Sequence, residues 1–118
     1  LDACNNVFLT LGDFEQLKGS RLHEPIRAMM AHYIDGIRAF EKTTGALMYD
    51  PLAAYFLINP GAYIIEPMDI QVETQSELAR GMTVADRRTW GEKHPNVLVA
   101  QSVDRNAFVR DFLEILKR

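Results

Sequence analysis

The fold is decided by one stretch of the chain, Tyr49-Asp50-Pro51-Leu52-Ala53-Ala54-Tyr55-Phe56-Leu57-Ile58-Asn59-Pro60. Asp50 suits the N-cap of a helix, where a carboxylate accepts hydrogen bonds from free backbone N–H groups. Pro51 suits the first helical position, and Pro60 ends the helix because it biases Asn59 out of the α region. Since the body of the stretch is apolar on all sides, we predict a buried helix over residues 50–58. Asp50 at the mouth of this helix is a cap, a ligand, or both.

The composition indicates one soluble domain and excludes several classes of partner. The chain has 118 residues, of which 47% are hydrophobic and 25% charged, as in ordinary globular domains. The net charge of −3 provides no basic surface, so we expect binding neither to nucleic acid nor to an anionic membrane. No apolar run approaches the roughly 18 residues of a membrane helix, and no signal peptide is visible.

The single cysteine, Cys4, rules out an internal disulfide and a cysteine metal cluster. This usage fits a reducing compartment, so we expect a cytoplasmic protein. The chain begins at Leu1 rather than at a methionine, and we therefore expect a fragment of a longer protein.

The residues before the central helix predict further helical structure. A short strand at 7–9 precedes a short helix that Thr10 and Asp13 open with a capping box. A long amphipathic helix is predicted from near Pro25 to a stop at Gly45. Its apolar stripe consists of Ile26, Met30, Tyr33, Ile34, Ile37 and Phe40.

Beyond Pro60 the pattern changes from helical to alternating. Strands are predicted at about residues 64–73, 81–86 and 96–100. Their close spacing favours an antiparallel meander. Asp104 then caps a final helix, whose apolar face is Phe108, Phe112, Ile115 and Leu116. The predicted fold class is therefore α+β: helices, a three-strand antiparallel meander and a C-terminal helix, forming a single portion over residues 1–118.

Four motifs give the chain a family resemblance. They are Tyr49-Asp50-Pro51-Leu52-Ala53, then Val72-Glu73-Thr74-Gln75, then Arg80-Gly81-Met82-Thr83-Val84-Ala85-Asp86-Arg87-Arg88, and Val103-Asp104-Arg105. In this order they resemble the C-terminal part of the inosine–uridine preferring nucleoside hydrolases. The resemblance extends over essentially the whole chain. It implies that the parent fold is an α/β open sheet.

The resemblance implies hydrolysis of the N-glycosidic bond of ribonucleosides to ribose and free base, a reaction of purine and pyrimidine salvage. It further implies a Ca²⁺ ion held by an aspartate cluster, a ribonucleoside as the partner, and a homo-oligomer when the protein is full length. Asp50 matches the one calcium ligand that the C-terminal part contributes. Ca²⁺ takes 6–8 oxygen ligands, so Asp50 alone cannot hold the ion. The family's N-terminal aspartate motif has no counterpart in this chain.

Tyr49 stands where the family usually has a histidine, taken as the acid that protonates the leaving base. A phenol, with a reference pKa of about 10, is a much weaker acid at neutral pH than imidazolium. The resemblance places Tyr33 and Phe40 in the region of the aromatic contacts to the base.

Each of these residues also has a structural interpretation. Asp50 would serve only as an N-cap, Tyr49 as a packing or contact residue, and Tyr33 and Phe40 as core. His32 is interpreted as a surface residue, although it could replace the missing imidazole. His23 and His94 are interpreted as solvated loop residues.

Two functional classes follow. The first is a portion of a calcium-dependent ribonucleoside hydrolase that is inactive unless joined to the missing part. The alternative is a non-catalytic, truncated or diverged relative that keeps the fold for binding or assembly. The departure at Tyr49 favours the second class, whereas Asp50-Pro51 and the hairpin motif favour the first.

Overall fold

The computed structural model describes residues 2–41 and 43–118. Its helices are α1 (Leu11–Phe14), α2 (His23–Glu41), α3 (Tyr49–Ile58) and α4 (Arg105–Lys117). Its strands are β1 (Phe8–Leu9), β2 (Ala46–Leu47), β3 (Tyr63–Met68), β4 (Ile70–Val72), β5 (Thr83–Ala85) and β6 (Val97–Val103). The order of helices, strands and a final helix confirms the predicted α+β class.

The chain divides into two compact units, one formed by Leu1–Tyr63 with Ser102–Arg118 and the other by Ile64–Gln101. The first unit contains the four helices and the antiparallel pair of β1 and β2. Its apolar side chains form one buried cluster, which draws on every helix of the unit: Val7, Leu9, Phe14, Leu17, Ile34, Ala46, Met48, Leu52, Tyr55, Phe108 and Leu113.

Two capping predictions in the first unit are confirmed. Thr10 Oγ1 accepts a hydrogen bond from the Asp13 N–H at 3.3 Å, and Asp13 Oδ2 accepts one from the Thr10 N–H at 2.7 Å. Asp104 accepts from the N–H groups of Asn106 and Ala107 at the start of α4. In α4, the predicted apolar face is confirmed at Phe108, which is buried. It is wrong at Ile115, which is exposed, because the buried side of the helix includes Leu113 instead.

The strands of the second unit form two separate two-stranded sheets rather than the predicted three-stranded meander. The first predicted strand is two strands that meet at Asp69 and take different partners, since β3 pairs with β6 and β4 pairs with β5. The pair β4–β5 is an antiparallel hairpin with Gln71 opposite Val84. Gly81, in the turn between these strands, has φ +87°, a left-handed conformation that glycine adopts without strain.

Helix α3 is present as predicted, but its start and its burial differ from the prediction. The helix begins at Tyr49, with Met48 as the N-cap and no side-chain capping bond, so Asp50 is the second helical residue rather than the cap. Leu52 and Tyr55 are buried, whereas Leu57 is 85% exposed and Ile58 is 65% exposed. The expectation of burial on all sides is wrong for the described residues, because they cover only one side of the helix.

Gly45 does not end the preceding helix, which has its last residue at Glu41. It lies instead where the backbone of β1 passes very close. A Cβ atom at this position would lie 2.7 Å from the Leu9 carbonyl oxygen and 2.9 Å from Phe8 Cδ2. A side chain is therefore excluded here by contact with β1.

His23 is not a solvated loop residue. It is the first residue of α2 and only 7% exposed, with Nδ1 3.2 Å from a Glu24 oxygen and Nε2 3.7 Å from a Glu15 oxygen. Its charged neighbours in sequence suggested exposure, but the turn into α2 directs the ring toward the interior. His32 and His94 are exposed, as predicted.

Among residues 2–41 and 43–118, no helix combines the length and the apolar character needed to cross a lipid bilayer.

Candidate active site

A cavity of about 300 Å³ lies in the first unit beside the N-terminal end of α3. Helices α1, α2 and α4, strand β2 and the first turn of α3 all contribute to its walls. The lining residues are Phe14, Ile26, Met30, Tyr33, Ala46, Leu47, Met48, Tyr49, Asp50, Pro51, Phe112 and Leu116. Ligand sites are typically concave and mostly apolar with a few placed polar groups, and this lining has that character.

Local sequence explains how this wall is built. Ile26, Met30 and Tyr33 are spaced by four and three residues, so they lie on one face of α2. The Met48 N–H donates to the Val7 carbonyl at 3.1 Å, which ties the segment before α3 to the strand region. The Met48 carbonyl then accepts from the Leu52 N–H at 3.2 Å, which starts the helix. Tyr49 and Asp50 are thereby held in the first turn of α3, at the cavity.

The position of Asp50 suits a negative charge. The first N–H groups of a helix have no partner within the helix, and they give its N-terminus a partial positive charge. Asp50 is exposed and Tyr49 is half-buried, so the carboxylate remains reachable from solvent. A carboxylate in this position can bind a cation or accept hydrogen bonds from hydroxyl groups.

The structure brings three of the four proposed site residues together. Tyr33, 38% exposed, lines the cavity with Tyr49 and Asp50. Phe40 is 86% exposed and lies outside this lining, so it is neither a wall of the cavity nor part of the core. His32 is likewise absent from the lining.

Sequence reasoning missed several walls of the cavity. Phe14, Leu47 and Phe112 line the cavity, and none of them was predicted to do so. Phe112 was predicted only as part of the apolar face of α4. The apolar stripe of α2, which was interpreted as core, also supplies Met30 and Tyr33 to the cavity. Residues that reach one cavity from separate helices and strands share no regular spacing in the sequence, so a sequence pattern does not predict them together.

Two tyrosine hydroxyls fix α3 in place, and neither was anticipated. Tyr55 Oη donates to Asp111 Oδ2 on α4 at 2.7 Å, and Tyr63 Oη donates to the Leu52 carbonyl at 2.6 Å. Burial raises the pKa of both phenols above 10.0. The hydrogen bond from Tyr55 lowers the pKa of Asp111 below its ordinary value of 3.8. Tyr55 is therefore held as a neutral phenol that can donate, and Asp111 as a carboxylate that can accept.

A calcium site is not complete within the described residues. No group of three or more histidine, cysteine, aspartate or glutamate side chains is arranged in residues 2–41 and 43–118 to hold a metal ion. Asp50 is the only carboxylate in the described lining of the cavity. The described lining of the cavity thus offers one carboxylate, whereas Ca²⁺ takes 6–8 oxygen ligands.

A second concavity, of about 680 Å³, runs along the hairpin of the second unit. Its charged side chains are already engaged: Arg88 Nη2 lies 2.6 Å from Asp86 Oδ2, and the Arg88 guanidinium lies 5.0 Å from the centre of the Trp90 ring. The pairing with Arg88 holds the pKa of Asp86 well below its usual range. Asp86 and Arg88 are thus paired with each other on the hairpin.

The chain resembles curated nucleoside hydrolases along most of its length. It is 29% identical to the pyrimidine-specific ribonucleoside hydrolase RihA of Shewanella sp. (strain MR-7), over 92% of this chain and 35% of that protein. It is 32% identical to the non-specific ribonucleoside hydrolase RihC of Escherichia coli (strain K12 / DH10B), over 98% of this chain and 37% of that protein. The chain therefore spans little more than a third of the length of these relatives.

Solved structures show the same fold. The purine-preferring ribonucleoside hydrolase from Gardnerella vaginalis matches 99% of this chain with 38% of its own, at a TM-score of 0.81 and 22% identity. A plant nucleoside hydrolase, PpNRh1, matches 99% of this chain with 39% of its own, at a TM-score of 0.83 and 20% identity. The sequence profile described as "Inosine-uridine preferring nucleoside hydrolase" matches residues 1–110. With a profile that covers nearly all of its residues and a fold shared with solved members, the chain belongs to the inosine-uridine preferring nucleoside hydrolase family.

Proposed function

We propose that this chain is the C-terminal portion of a ribonucleoside hydrolase, which cleaves the N-glycosidic bond to give ribose and free base. The observation that carries the proposal is the meeting of Tyr49 and Asp50 with Tyr33 at one apolar cavity of about 300 Å³. The activity belongs to the complete hydrolase fold, of which this chain spans a little over a third.

The chain's own residues would bind and orient the nucleoside. An apolar wall with aromatic side chains suits the flat face of a nucleobase, and Tyr33 and Tyr49 are the aromatic residues of the lining that also carry a hydroxyl. The Asp50 carboxylate would accept hydrogen bonds from ribose hydroxyls or bind a cation that does so. The Tyr49 hydroxyl would donate a hydrogen bond to the departing base.

We propose Asp50 as one ligand of a Ca²⁺ ion that the complete protein holds. When bound, such an ion binds hydroxyl oxygens and acidifies a coordinated water molecule. The role of Asp50 is supported by its solvent-reachable position at the positive end of α3. The described residues contain no cluster of candidate ligands, and we propose that the other ligands come from the portion of the family fold that this chain does not match.

The test is a chimera in which this chain replaces the matching C-terminal region of the RihC relative. Ribose release from uridine and inosine is measured with and without calcium. We expect calcium-dependent release by the chimera and its loss in Asp50→Asn. Asp35→Asn is the matched control, because Asp35 is an exposed aspartate of α2 outside the cavity lining. A folded chimera without ribose release would instead support the non-catalytic binding or assembly alternative.

A further inference from the structure

Helix α3 presents an apolar face to solvent. Ala53, Ala54, Leu57 and Ile58 are exposed, and their spacing of one and four residues places them on one side of the helix. Leu57 is 85% exposed and Ile58 is 65% exposed, whereas Leu52 and Tyr55 on the other side are buried. The helix therefore packs into the first unit along one face only and leaves the opposite apolar face uncovered by the described residues.

This face does not have the composition of a solvated helix. The exposed side of α2 carries charged residues, among them Arg27, Asp35 and Arg38. From Pro51 to Ile58, by contrast, α3 contains no charged residue, and its only polar atom on a side chain is the hydroxyl of the buried Tyr55. A helix that is hydrophobic on all sides is one that a protein buries on all sides.

The length of the matched structures supports one candidate for the cover of this face. The chain matches solved nucleoside hydrolases over 99% of its length at TM-scores of 0.81 and 0.83, yet it spans only 38% and 39% of their chains. The family fold thus includes a larger portion that this chain does not match. A second copy of this chain is the other occupant that an apolar face can have, and the labelling experiment below separates the two.

We propose that the exposed face of α3 is the docking surface for the remaining portion of the nucleoside hydrolase fold, and that Leu57 and Ile58 are the side chains buried by that contact. The proposal depends on family membership and not on hydrolytic activity. It assigns α3 a double role, with one end at the cavity and one side joining the two portions of the fold.

Cysteine accessibility tests this contact directly. Leu57→Cys is introduced in a Cys4→Ser background, both into this chain alone and into the RihC chimera, and the rate of maleimide labelling is measured. The matched control is Leu78→Cys, at a leucine of the second unit that is 100% exposed. Because Leu57 is exposed in the described structure, the substitution leaves the core of the first unit intact.

We expect labelling at position 57 to be roughly tenfold or more slower in the chimera than in this chain alone, since a buried site reacts only through local opening. Labelling at position 78 should be the same in both. Equal rates at position 57 would overturn the proposal. Protection at position 57 in this chain alone, increasing with its concentration, would show that a second copy covers the face and would also overturn it. Labelling does not require turnover, so an inactive chimera leaves the result interpretable.

Discussion

Tyr55 on α3 donates a 2.7 Å hydrogen bond to the carboxylate of Asp111 on α4, and this bond joins the helix that bears the proposed site residues to the C-terminal helix. Asn59 Nδ2 in turn donates to the Tyr55 hydroxyl oxygen at 3.0 Å. The phenol ring packs edge-on against Phe108, with 5.3 Å between ring centres. One buried side chain thus sets the position of α3 by both polar and apolar contacts.

Tyr55→Phe is expected to destabilise the protein most at neutral pH. The pKa of Asp111 is lowered by its bond from Tyr55, so this stabilisation is present above the unfolded value of 3.8 and is lost as the pH falls through the lower folded value. The pKa of Tyr55 is raised by burial, so the stabilisation is also lost as the pH rises above 10.0 toward the folded value. Urea unfolding as a function of pH should therefore show a smaller acid loss of stability in the variant than in the wild type.

The control for this measurement is Tyr63→Phe. Tyr63 donates to a backbone carbonyl, that of Leu52, and therefore has no partner that titrates in acid. The variant should be less stable than the wild type, with an unchanged acid dependence. An equal change of the acid dependence in both variants would contradict the role given to Asp111.

Gly45→Ala is expected to destabilise the first unit by about 2 kcal/mol, the usual scale for overpacking a site that cannot relax. The added Cβ would meet the backbone of β1, with the Leu9 carbonyl oxygen at 2.7 Å. Gly36→Ala is the matched control, because a Cβ there meets nothing within 4 Å and the position lies within α2. This control should gain roughly 0.5–1 kcal/mol from helix propensity. Urea midpoints that shift in the same direction for both variants would contradict the close approach of β1.

The sequence predicted the elements of this fold better than their surroundings. The caps at Thr10 and Asp104 depend on residues within three positions of each other and are confirmed. The cap predicted at Asp50 is wrong, because α3 already begins at Tyr49. The burial of α3 was mispredicted at Leu57, because a local apolar pattern does not specify which other elements pack against the helix. The chain spans little more than a third of the length of its curated relatives, and we assign the cover of this helix, as proposed above, to the rest of that fold.

The residues of the cavity were likewise predicted only in part. The family resemblance singled out Tyr49, Asp50 and Tyr33, and all three lie in one lining. Phe40 belongs to the same stripe, but it lies almost two turns farther along α2, beyond the end of the cavity. Periodicity predicts which face of a helix a residue occupies, and it does not predict how far along that face the packing extends.

The chain alone is expected to release no ribose from inosine or uridine. Its described residues contain no cluster of metal-binding side chains, and Asp50 is the only carboxylate in the described lining. The measurement is a reducing-sugar assay on the purified chain of 118 residues with added calcium. Calcium-dependent ribose release, removed by Asp50→Asn, would show that the described residues are sufficient for catalysis.

Asp50→Asn in the chimera is expected to lower calcium affinity by about tenfold or more, since even outer-shell changes at metal sites typically cost 10–100-fold. The cost in stability should be less than about 1 kcal/mol, because Asp50 is the second residue of α3 and acts on the helix only through its dipole. Calcium titration by calorimetry and urea unfolding separate the two effects. Unchanged calcium binding would leave Asp50 with a purely structural role at the helix end.

Tyr49 is expected to set the preference among bases. Cleavage of a nucleoside requires that the charge on the departing base be neutralised, and a placed proton donor contributes roughly 10²–10⁴-fold. A phenol with a reference pKa of about 10 donates less readily than imidazolium, so substrates whose base must be protonated should suffer most. We therefore expect the active chimera to favour uridine over inosine, and Tyr49→His to raise kcat/KM for inosine more than for uridine. Tyr33→His is the matched control, since it places the same ring elsewhere in the lining of the cavity. An unchanged ratio of the two kcat/KM values in Tyr49→His would mean that another group supplies the proton and that Tyr49 acts only as a wall of the cavity.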